Sequence, residues 1–250
     1  MTRKLTLEES WALTENFALC PAAERNPDST LPVTDFIKDD VCTEKLKRVM
    51  EVCEYPNLKV TASTFTKRYS IHTAAAAFFA MSVLNVKLNW KAENCWADLD
   101  FVGAPRRARM PLEDWTCEEL PDAMDPDARH AAIDELVHEL FAEHLTPLFA
   151  AFKATSKVNA QILWENMAER VYPVYESQME GISLEALVRL KTDFDYLLNG
   201  IAPEAFGLDF NPLKKFDLHD EYGRRTRKTC CLRYQVSRYC RNCPLRNKKH

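Results

Sequence analysis

Four cysteines lie within fourteen residues near the end of the sequence, and no other feature limits the chain's chemistry as strongly. They are Cys230, Cys231, Cys240 and Cys243 in the stretch TCCLRYQVSRYCRNCPL. Thiolates are the soft anionic donors of iron and zinc sites, and neighbouring cations favour their deprotonation. The cations of this region are Arg227, Lys228, Arg233, Arg238 and Arg241. The segment is therefore predicted to bind a metal through these four thiols.

The spacing of the cysteines favours one kind of metal centre over the others. A structural zinc site usually takes two knuckles of the C-x-x-C kind, and only the second pair has that form. Adjacent cysteines close poorly on one tetrahedral ion, whereas a two-iron, two-sulfur cluster offers ligand positions on two metals. We therefore expect a 2Fe-2S cluster, with a zinc site as the second interpretation and a redox dithiol pair as the third.

The other cysteines are scattered singly through the chain. They are Cys20, Cys42, Cys53, Cys95 and Cys117. None has a ligand-like spacing, and an isolated cysteine usually packs as a small apolar side chain. The N-terminal residues do not resemble a secretory signal, and no apolar run is long enough to span a bilayer. We therefore expect a cytoplasmic protein whose thiols are free rather than a disulfide framework.

The charge of the chain changes sharply near residue 220. Residues 221–250 contain ten Lys or Arg and one acid, Glu221, a balance of +9, although the whole chain carries −4. This asymmetry predicts a body of residues 1–220 and a basic, cysteine-rich segment of residues 221–250. Such a segment suits a nucleic acid, an acidic protein or an anionic cofactor, and charge alone does not choose among them.

The body is predicted to be mainly α-helical with a small antiparallel β-sheet, an α+β fold. Residues 62–88 are apolar on all sides and predict a buried helix, while residues 133–152 have the three- and four-residue periodicity of an amphipathic helix. Residues 89–102 alternate as one or two strands do. Residues 111–126 are rich in acids and prolines, which predicts a solvated connection without regular structure.

Glycine is scarce, with five residues in the chain. Their spacings match neither the dinucleotide-binding loop nor the nucleoside triphosphate-binding loop. The sequence also lacks a flavin or nicotinamide fingerprint, so a separate protein must supply the electrons for any redox reaction.

Two stretches resemble one known family. Thr229–Tyr234 and Tyr239–Pro244 are similar to the C-terminal signature of the ferric hydroxamate-siderophore reductases, the FhuF-type family. The stretch VNAQILWEN at residues 158–166 looks like an internal segment of that family, and Asn211-Pro212-Leu213 lies at a family-like distance before the cysteines. Other members have a longer spacer between the cysteine pair and the C-x-x-C, and the first 130 residues resemble the family only loosely.

The resemblance implies a ferric-siderophore reductase. It implies a 2Fe-2S cluster on the four cysteines, which reduces the Fe(III) of a hydroxamate siderophore to Fe(II) in the cytoplasm. Ferrous iron is held far more weakly than ferric iron by hard oxygen donors, so one electron loosens it. The electron donor is expected to be an acidic ferredoxin or flavodoxin that docks on the basic segment. We expect no nucleic acid and no transmembrane segment, and we allow for peripheral association with the inner face of the membrane.

Further site residues are predicted around the cluster and the substrate. Lys228, Arg233 and Tyr234 are expected beside the cysteines, where cations stabilise the reduced state. Trp164 and Asn166 are candidates for the siderophore pocket, with packing in the core as the other interpretation of each.

Two different classes of function compete with the reductase. A nucleic-acid-binding or iron-sensing regulator would use the cysteines and arginines as a zinc module, but the acidic body disfavours it. A siderophore-binding or regulatory protein without catalysis would use zinc to staple its C-terminal tail.

Overall fold

The computed structural model describes residues 1–98, 109–177, 181–240 and 242–246, with the side chain of residue 39 left aside. This part of the chain is mainly helical and has three small sheets, which confirms the predicted fold class. The helices are α1 (Leu7–Phe17), α2 (Thr34–Ile37), α3 (Asp39–Val52), α4 (Leu58–Ser70), α5 (Ala76–Phe79), α6 (Pro126–Val137), α7 (Thr146–Ser156), α8 (Ala160–Glu176), α9 (Leu184–Asp195) and α10 (Pro212–Lys215). The strands are β1 (Thr2–Lys4), β2 (Leu19–Pro21), β3 (Thr30–Pro32), β4 (Val86–Leu88), β5 (Trp96–Asp98), β6 (Met110–Leu112) and β7 (Thr116–Glu119).

The predicted buried helix runs without a break from Leu58 to Leu84. The end of the predicted range was wrong, because Val86–Leu88 forms strand β4. The helix consists of α4 and α5 with two π-helical segments, Ile71–Ala75 and Ala80–Leu84. Its alanines allow close approach of neighbouring helices, and almost every side chain of this helix is buried. Asn57 begins the helix because its side chain accepts a hydrogen bond from the backbone N–H of Val60. This helix forms the centre of the core.

The predicted amphipathic helix is also confirmed. α6 continues through a π-helical segment, His138–Leu145, into α7, so that the helix spans residues 126–156. Its apolar side faces α8, where Phe141 and Phe149 pack against Trp164 with ring centroids 6.4 and 4.7 Å away. α4 packs against α8 as well, and these two helices form the groove that receives the C-terminal segment.

The sheets are small, and their pairing differs in part from the prediction. The β1-β7-β4 sheet and the β3-β5 pair are antiparallel as expected, whereas β2 and β6 pair in parallel. The prediction of an irregular connection at residues 111–126 was wrong, because β7 is the central strand of the three-stranded sheet. Its acids mislead because they face solvent, where Glu119 forms an ion pair with Arg3 at 3.0 Å. Cys117 of the same strand is buried and belongs to the core.

The predicted strands at residues 89–102 are found in part. β5 lies within the range, and residues 99–102 lie outside the described part of the chain. Among the described helices, none has the length and apolar character needed to cross a membrane.

The segment after α10 contains little regular structure. Within its described residues, Arg233–Gln235 forms one turn of 3₁₀-helix, and the rest is held by turns and by contacts with α4 and α8. The division into a body and a segment at residue 220 stays a prediction.

Candidate metal centre

The four C-terminal cysteines come together in one cluster. Cys231, Cys240 and Cys243 are buried, with 2%, 7% and 3% of their surface exposed, and Cys230 is half-buried against them. The thiols interact in two pairs, Cys230 with Cys243 and Cys231 with Cys240. The two neighbours in the sequence therefore belong to different pairs, and each pair joins one cysteine of the first motif to one of the second.

This arrangement can be compared with the needs of a metal. Four thiolates around one zinc ion lie about 2.3 Å from it, which places every sulfur about 4 Å from the others. Within the described residues, the one group of three or more ligand atoms that lie within 4.8 Å of one another is Glu176, Asp217 and His219 rather than the cysteines. Two separate thiol pairs fit a cluster with two metals better than a single tetrahedral ion.

The group of Glu176, Asp217 and His219 already has a cation. Arg225 forms ion pairs with the carboxylates of Glu176 and Asp217, and the distance to Asp217 is 3.0 Å. This guanidinium explains the proximity of the acids without a metal.

α4 holds Cys231 through two side chains one helical turn apart. The hydroxyl of Ser63 donates to the backbone carbonyl of Cys231 at 2.8 Å, and Lys67 Nζ donates to the Cys231 sulfur at 3.6 Å. Residues four apart on a helix share a face, so both reach the same cysteine. Lys67 itself is only 8% exposed, which places a buried ammonium beside the thiol.

α8 holds the residues just before the cysteine pair through one carboxylate. Glu165 is 1% exposed and accepts hydrogen bonds from the backbone N–H groups of Lys228 and Thr229, at 2.6 and 2.8 Å. The Thr229 hydroxyl and Arg227 donate to the same carboxylate. A buried carboxylate with several charge-assisted hydrogen bonds fixes the backbone that leads into Cys230.

Asn166 connects the two helices to the segment. Its amide nitrogen donates to the carbonyl and the hydroxyl of Ser63, both at 3.0 Å, and its amide oxygen accepts from Arg227 at 2.7 Å. Asn166 is fully buried, so these bonds lie in a region of low dielectric where they are strong. The body thus provides a rigid polar site for the cysteine segment.

The surroundings of the four thiols give them different pKa values. The pKa of Cys231 is lowered, first by the hydrogen bond with the Cys240 thiol and then by the charges of Lys67 and Arg227. The pKa of Cys240 is raised because its proton is held against the Cys231 sulfur. Burial raises the pKa of Cys230. Among the four cysteines without a bound metal, Cys231 is therefore the one whose thiolate form is favoured.

The three residues predicted beside the cysteines have different surroundings. Arg233 is half-buried, and its backbone N–H donates to Cys231. Lys228 is exposed and takes part through its backbone N–H to Glu165. Tyr234 is 41% exposed and stacks on Tyr239, with ring centroids 5.5 Å apart. Their influence on a bound metal remains a prediction.

The two residues predicted for the substrate are enclosed by protein. Trp164 is 4% exposed and packs between Phe141 and Phe149, and Asn166 makes the bonds to Ser63 and Arg227. Their contact with a substrate stays a prediction, and the structure gives both residues other partners.

Sequence reasoning missed the residues that hold the cysteines. Ser63 and Lys67 lie more than 160 positions before Cys231, and nothing in their local pattern indicates a metal. Glu165 carried a weak signal, because it stands with Asn166 inside an otherwise apolar run, residues 162–168.

A polar cleft lies next to the cysteines. It has a volume of about 770 Å³, and its wall includes Arg227, Asn242 and Pro244, which are close to or flank the cysteines in the sequence. The other residues of the wall are Glu169, Tyr172, Pro173, Glu176, Ser177, Asp220, Arg224, Arg225, Thr226 and Arg246. A small charged molecule in this cleft would lie beside the cluster.

The sequence and the structure were compared with known proteins. The family model described as "Ferric iron reductase FhuF-like transporter" matches residues 63–198, more than half of the chain. No curated protein matches the sequence. Among solved structures, aerobactin synthetase IucC from a hypervirulent pathotype of Klebsiella pneumoniae is similar, with 12% identity and a TM-score of 0.49 over 78% of this chain. The chain spans 38% of the length of that synthetase.

Proposed function

Because the chain belongs to the FhuF-like ferric iron reductase family, we propose that it reduces the Fe(III) of a hydroxamate siderophore to Fe(II) in the cytoplasm. The observation that carries the proposal is the convergence of the four cysteines on the groove between α4 and α8. The residues that hold them, Ser63, Lys67 and Glu165, lie inside the family-matched span, although the cysteines lie beyond it.

The cysteines fit a 2Fe-2S cluster as its ligands. Cys230, Cys231, Cys240 and Cys243 form two thiol pairs in a mostly buried site, with a cation at the thiolate. Such a cluster, when bound, supplies one-electron transfer at a potential set by its charge, its hydrogen bonds and its exposure to solvent.

The surrounding residues adjust and protect this site. Lys67 donates to Cys231 and places a positive charge where reduction adds a negative one, which favours the reduced state. Glu165 and Asn166 fix the backbone of residues 227–229, so the thiols keep their positions during electron transfer. Three of the four cysteines are shielded from water by the body.

The reaction needs one electron for each iron, and the electron must come from another protein. The siderophore holds Fe(III) through hard oxygens, which bind Fe(II) much more weakly, so iron is released after reduction. A ferredoxin or flavodoxin with an acidic surface would bind the exposed side of the segment by charge complementarity. Tyr234, Tyr239 and Arg238 are exposed there.

The first experiment is to purify the protein anaerobically and record its visible absorption and electron paramagnetic resonance spectra. Iron, sulfide and zinc are assayed on the same sample. We expect a red-brown protein with roughly two irons and two sulfides per chain and a paramagnetic signal only after reduction. The reduced protein should then convert a ferric trihydroxamate to a ferrous complex that a chelating dye detects.

The opposite result would be a colourless protein that holds one zinc ion even after incubation with iron and sulfide. That result would reject the reductase and support a siderophore-binding or regulatory protein with a zinc-stapled tail.

A further inference from the structure

The polar cleft beside the cysteines contains buried polar atoms with no partner. Among the described residues, eight buried side-chain nitrogen and oxygen atoms make no hydrogen bond, and four of the eight belong to the wall of this cleft. They are Arg225 Nη1, Arg227 Nε, Arg227 Nη1 and Glu169 Oε1. Leaving such a group unsatisfied destabilises the fold, and more so when the group is charged. An unsatisfied guanidinium therefore needs a specific explanation.

Another buried arginine of the same protein shows the usual arrangement. Arg129 is 2% exposed and lines a larger cleft of about 1410 Å³ between α6 and α9. All three of its guanidinium nitrogens are bonded, to Asp193, Asn85 and the backbone carbonyls of Met81 and Pro121, at 2.7–3.2 Å. Each nitrogen of this guanidinium is thus engaged in a structural contact, and none remains to bind a ligand.

Arg227 is also buried, but two of its nitrogens have no hydrogen-bond partner. It is 5% exposed, and only its Nη2 is used, at 2.7 Å from Asn166 and 3.4 Å from Glu165. Its charge also lowers the pKa of Cys231, but it makes no hydrogen bond to that thiol. Nε and Nη1 remain as donors, and because they point to opposite edges of the guanidinium, each offers a separate hydrogen bond to a ligand.

Three further arginines contribute to the wall of the cleft. Arg225 is fixed by Glu176 and Asp217 and lies over the ring of Tyr172, yet its Nη1 is unpartnered. Arg246 is exposed and forms no ion pair with the described acids, and Arg224 reaches the cleft while paired to Asp220. The cleft thus has two inner guanidiniums with free donors and two outer ones at the surface.

We propose that this cleft binds the free carboxylate of an anionic ferric chelate and so places its iron beside the four cysteines. The proposal rests on the reductase function and narrows its substrate class to hydroxamate siderophores that also carry a carboxylate. Arg227 and Arg225 donate to the carboxylate oxygens, and Glu169 Oε1 accepts an N–H or O–H of the same ligand.

The test measures binding without electron transfer. Gallium(III) resembles ferric iron in its complexes but is not reduced, so two gallium probes are titrated calorimetrically into the intact protein as purified. One is the neutral tris(acetohydroxamate), and the other is the tris(succinohydroxamate), which adds a free carboxylate to each arm. We expect the second probe to bind at least about tenfold more tightly, the gain of one charge-assisted hydrogen-bonded contact.

Variants locate the effect in the cleft. Arg227 also holds Glu165 and Asn166, so the substitutions are made at the exposed arginines of the wall, Arg224→Gln and Arg246→Gln. Each should weaken binding of the carboxylate probe about two- to fivefold, the range for exposed ion pairs, and leave binding of the neutral probe unchanged. The matched control is Lys153→Gln, which removes an exposed cation on α7 that does not line the cleft.

Equal affinity of the two probes would overturn the proposal, as would an equal loss of affinity in Lys153→Gln. Reduction of ferric tris(acetohydroxamate) by the reduced protein tests the reductase function separately. A protein that reduces this neutral complex but does not prefer the carboxylate probe keeps the function and loses the carboxylate site. A protein that prefers the carboxylate probe but reduces neither ferric complex keeps the site and loses the function.

Discussion

The helical body and the C-terminal segment both bury cysteines, but Cys231 of the segment has the opposite pKa shift to four cysteines of the body. In the body, burial raises the pKa of Cys20 to about 11 and that of Cys53 to about 12, and it also raises the pKa of Cys95 and Cys117. In the segment, the pKa of Cys231 is lowered although the residue is as buried as most of these. The difference comes from hydrogen bonds and cations around the sulfur rather than from exposure. At Cys231 the fold therefore stabilises the thiolate, the form of cysteine that binds a metal.

The largest expected effect separates the two groups of cysteines. Serine in place of Cys230, Cys231, Cys240 or Cys243 should abolish the cluster, because a hydroxyl is a poor replacement for a soft thiolate. Absorption and iron content of each anaerobically purified variant measure this. Cys53→Ser, at a half-buried position in the body, is the control and should keep full colour. A coloured variant at any of the four positions would remove that residue from the ligand set.

The second prediction concerns the neutral state of buried groups in the body. Burial lowers the pKa of His72 and His144 to about 4, from about 6.5 in an unfolded chain. Between these values the unfolded chain binds protons that the folded protein does not, so the free energy of unfolding falls as the pH drops from 6.5 to 4. Each histidine contributes about 1.4 kcal/mol per pH unit.

Urea unfolding at several pH values measures this slope. His144→Gln keeps an uncharged amide next to Tyr69 and the Trp90 carbonyl, and it should reduce the slope by about one histidine's share. His138→Gln, at an exposed position, is the control against which that loss of slope is measured. Equal slopes in all three proteins would contradict the neutral state of His144.

The third prediction concerns the attachment of the segment to the body. Glu165→Gln removes the charge and one of the two acceptor oxygens that bind Lys228 and Thr229, at a cost of about 2 kcal/mol. Hydrogen exchange of those two amides should become roughly thirtyfold faster, the equivalent of that cost. Glu44→Gln, at an exposed position of α3, should not change it. Unchanged exchange in Glu165→Gln would show that other contacts hold the segment.

The smallest expected effect tests the cation at Cys231. Lys67→Met removes the ammonium that donates to the sulfur, so the reduction potential of the cluster should fall by about 60 mV, a tenfold change for a one-electron couple. A spectroscopic redox titration measures it. Lys59→Met is the matched control because Lys59 is an exposed lysine in the first turn of the same helix, α4. An equal shift in both variants would show that net charge rather than the hydrogen bond sets the potential.

Sequence patterns predicted the parts of this fold that depend on local periodicity. The apolar helix around residue 75 and the amphipathic helix around residue 143 follow from spacing, because one face or all faces must be buried. Strand β7 was missed because its exposed residues are acidic and its two pairing partners, β1 and β4, are not its neighbours in the sequence. Three-residue strands carry too little alternation to be distinguished from loops.

The candidate site was predictable only in its cysteines, whose spacing is local. Ser63, Lys67 and Arg227 become neighbours because α4 packs on α8, and no pattern within one helix contains that information. Asn166 was noticed in the sequence as a candidate for the siderophore pocket, with packing in the core as the other interpretation. Its partners turned out to be Ser63 and Arg227, so the position supports the cysteines through the backbone.

The Cys231–Cys240 pair lies within the sequence span of the Cys230–Cys243 pair, and this affects how the sequence between them can vary. The loop between Cys231 and Cys240 leaves the site and returns to it, and its tip, with Tyr234 and Tyr239 stacked on each other, is exposed. Closing a longer loop across the same two ends costs only about 0.6 kcal/mol of chain entropy for each doubling of its length. Insertions in this loop should therefore be nearly neutral for stability, and the longer spacer of other family members needs no change in the body that holds the cysteines.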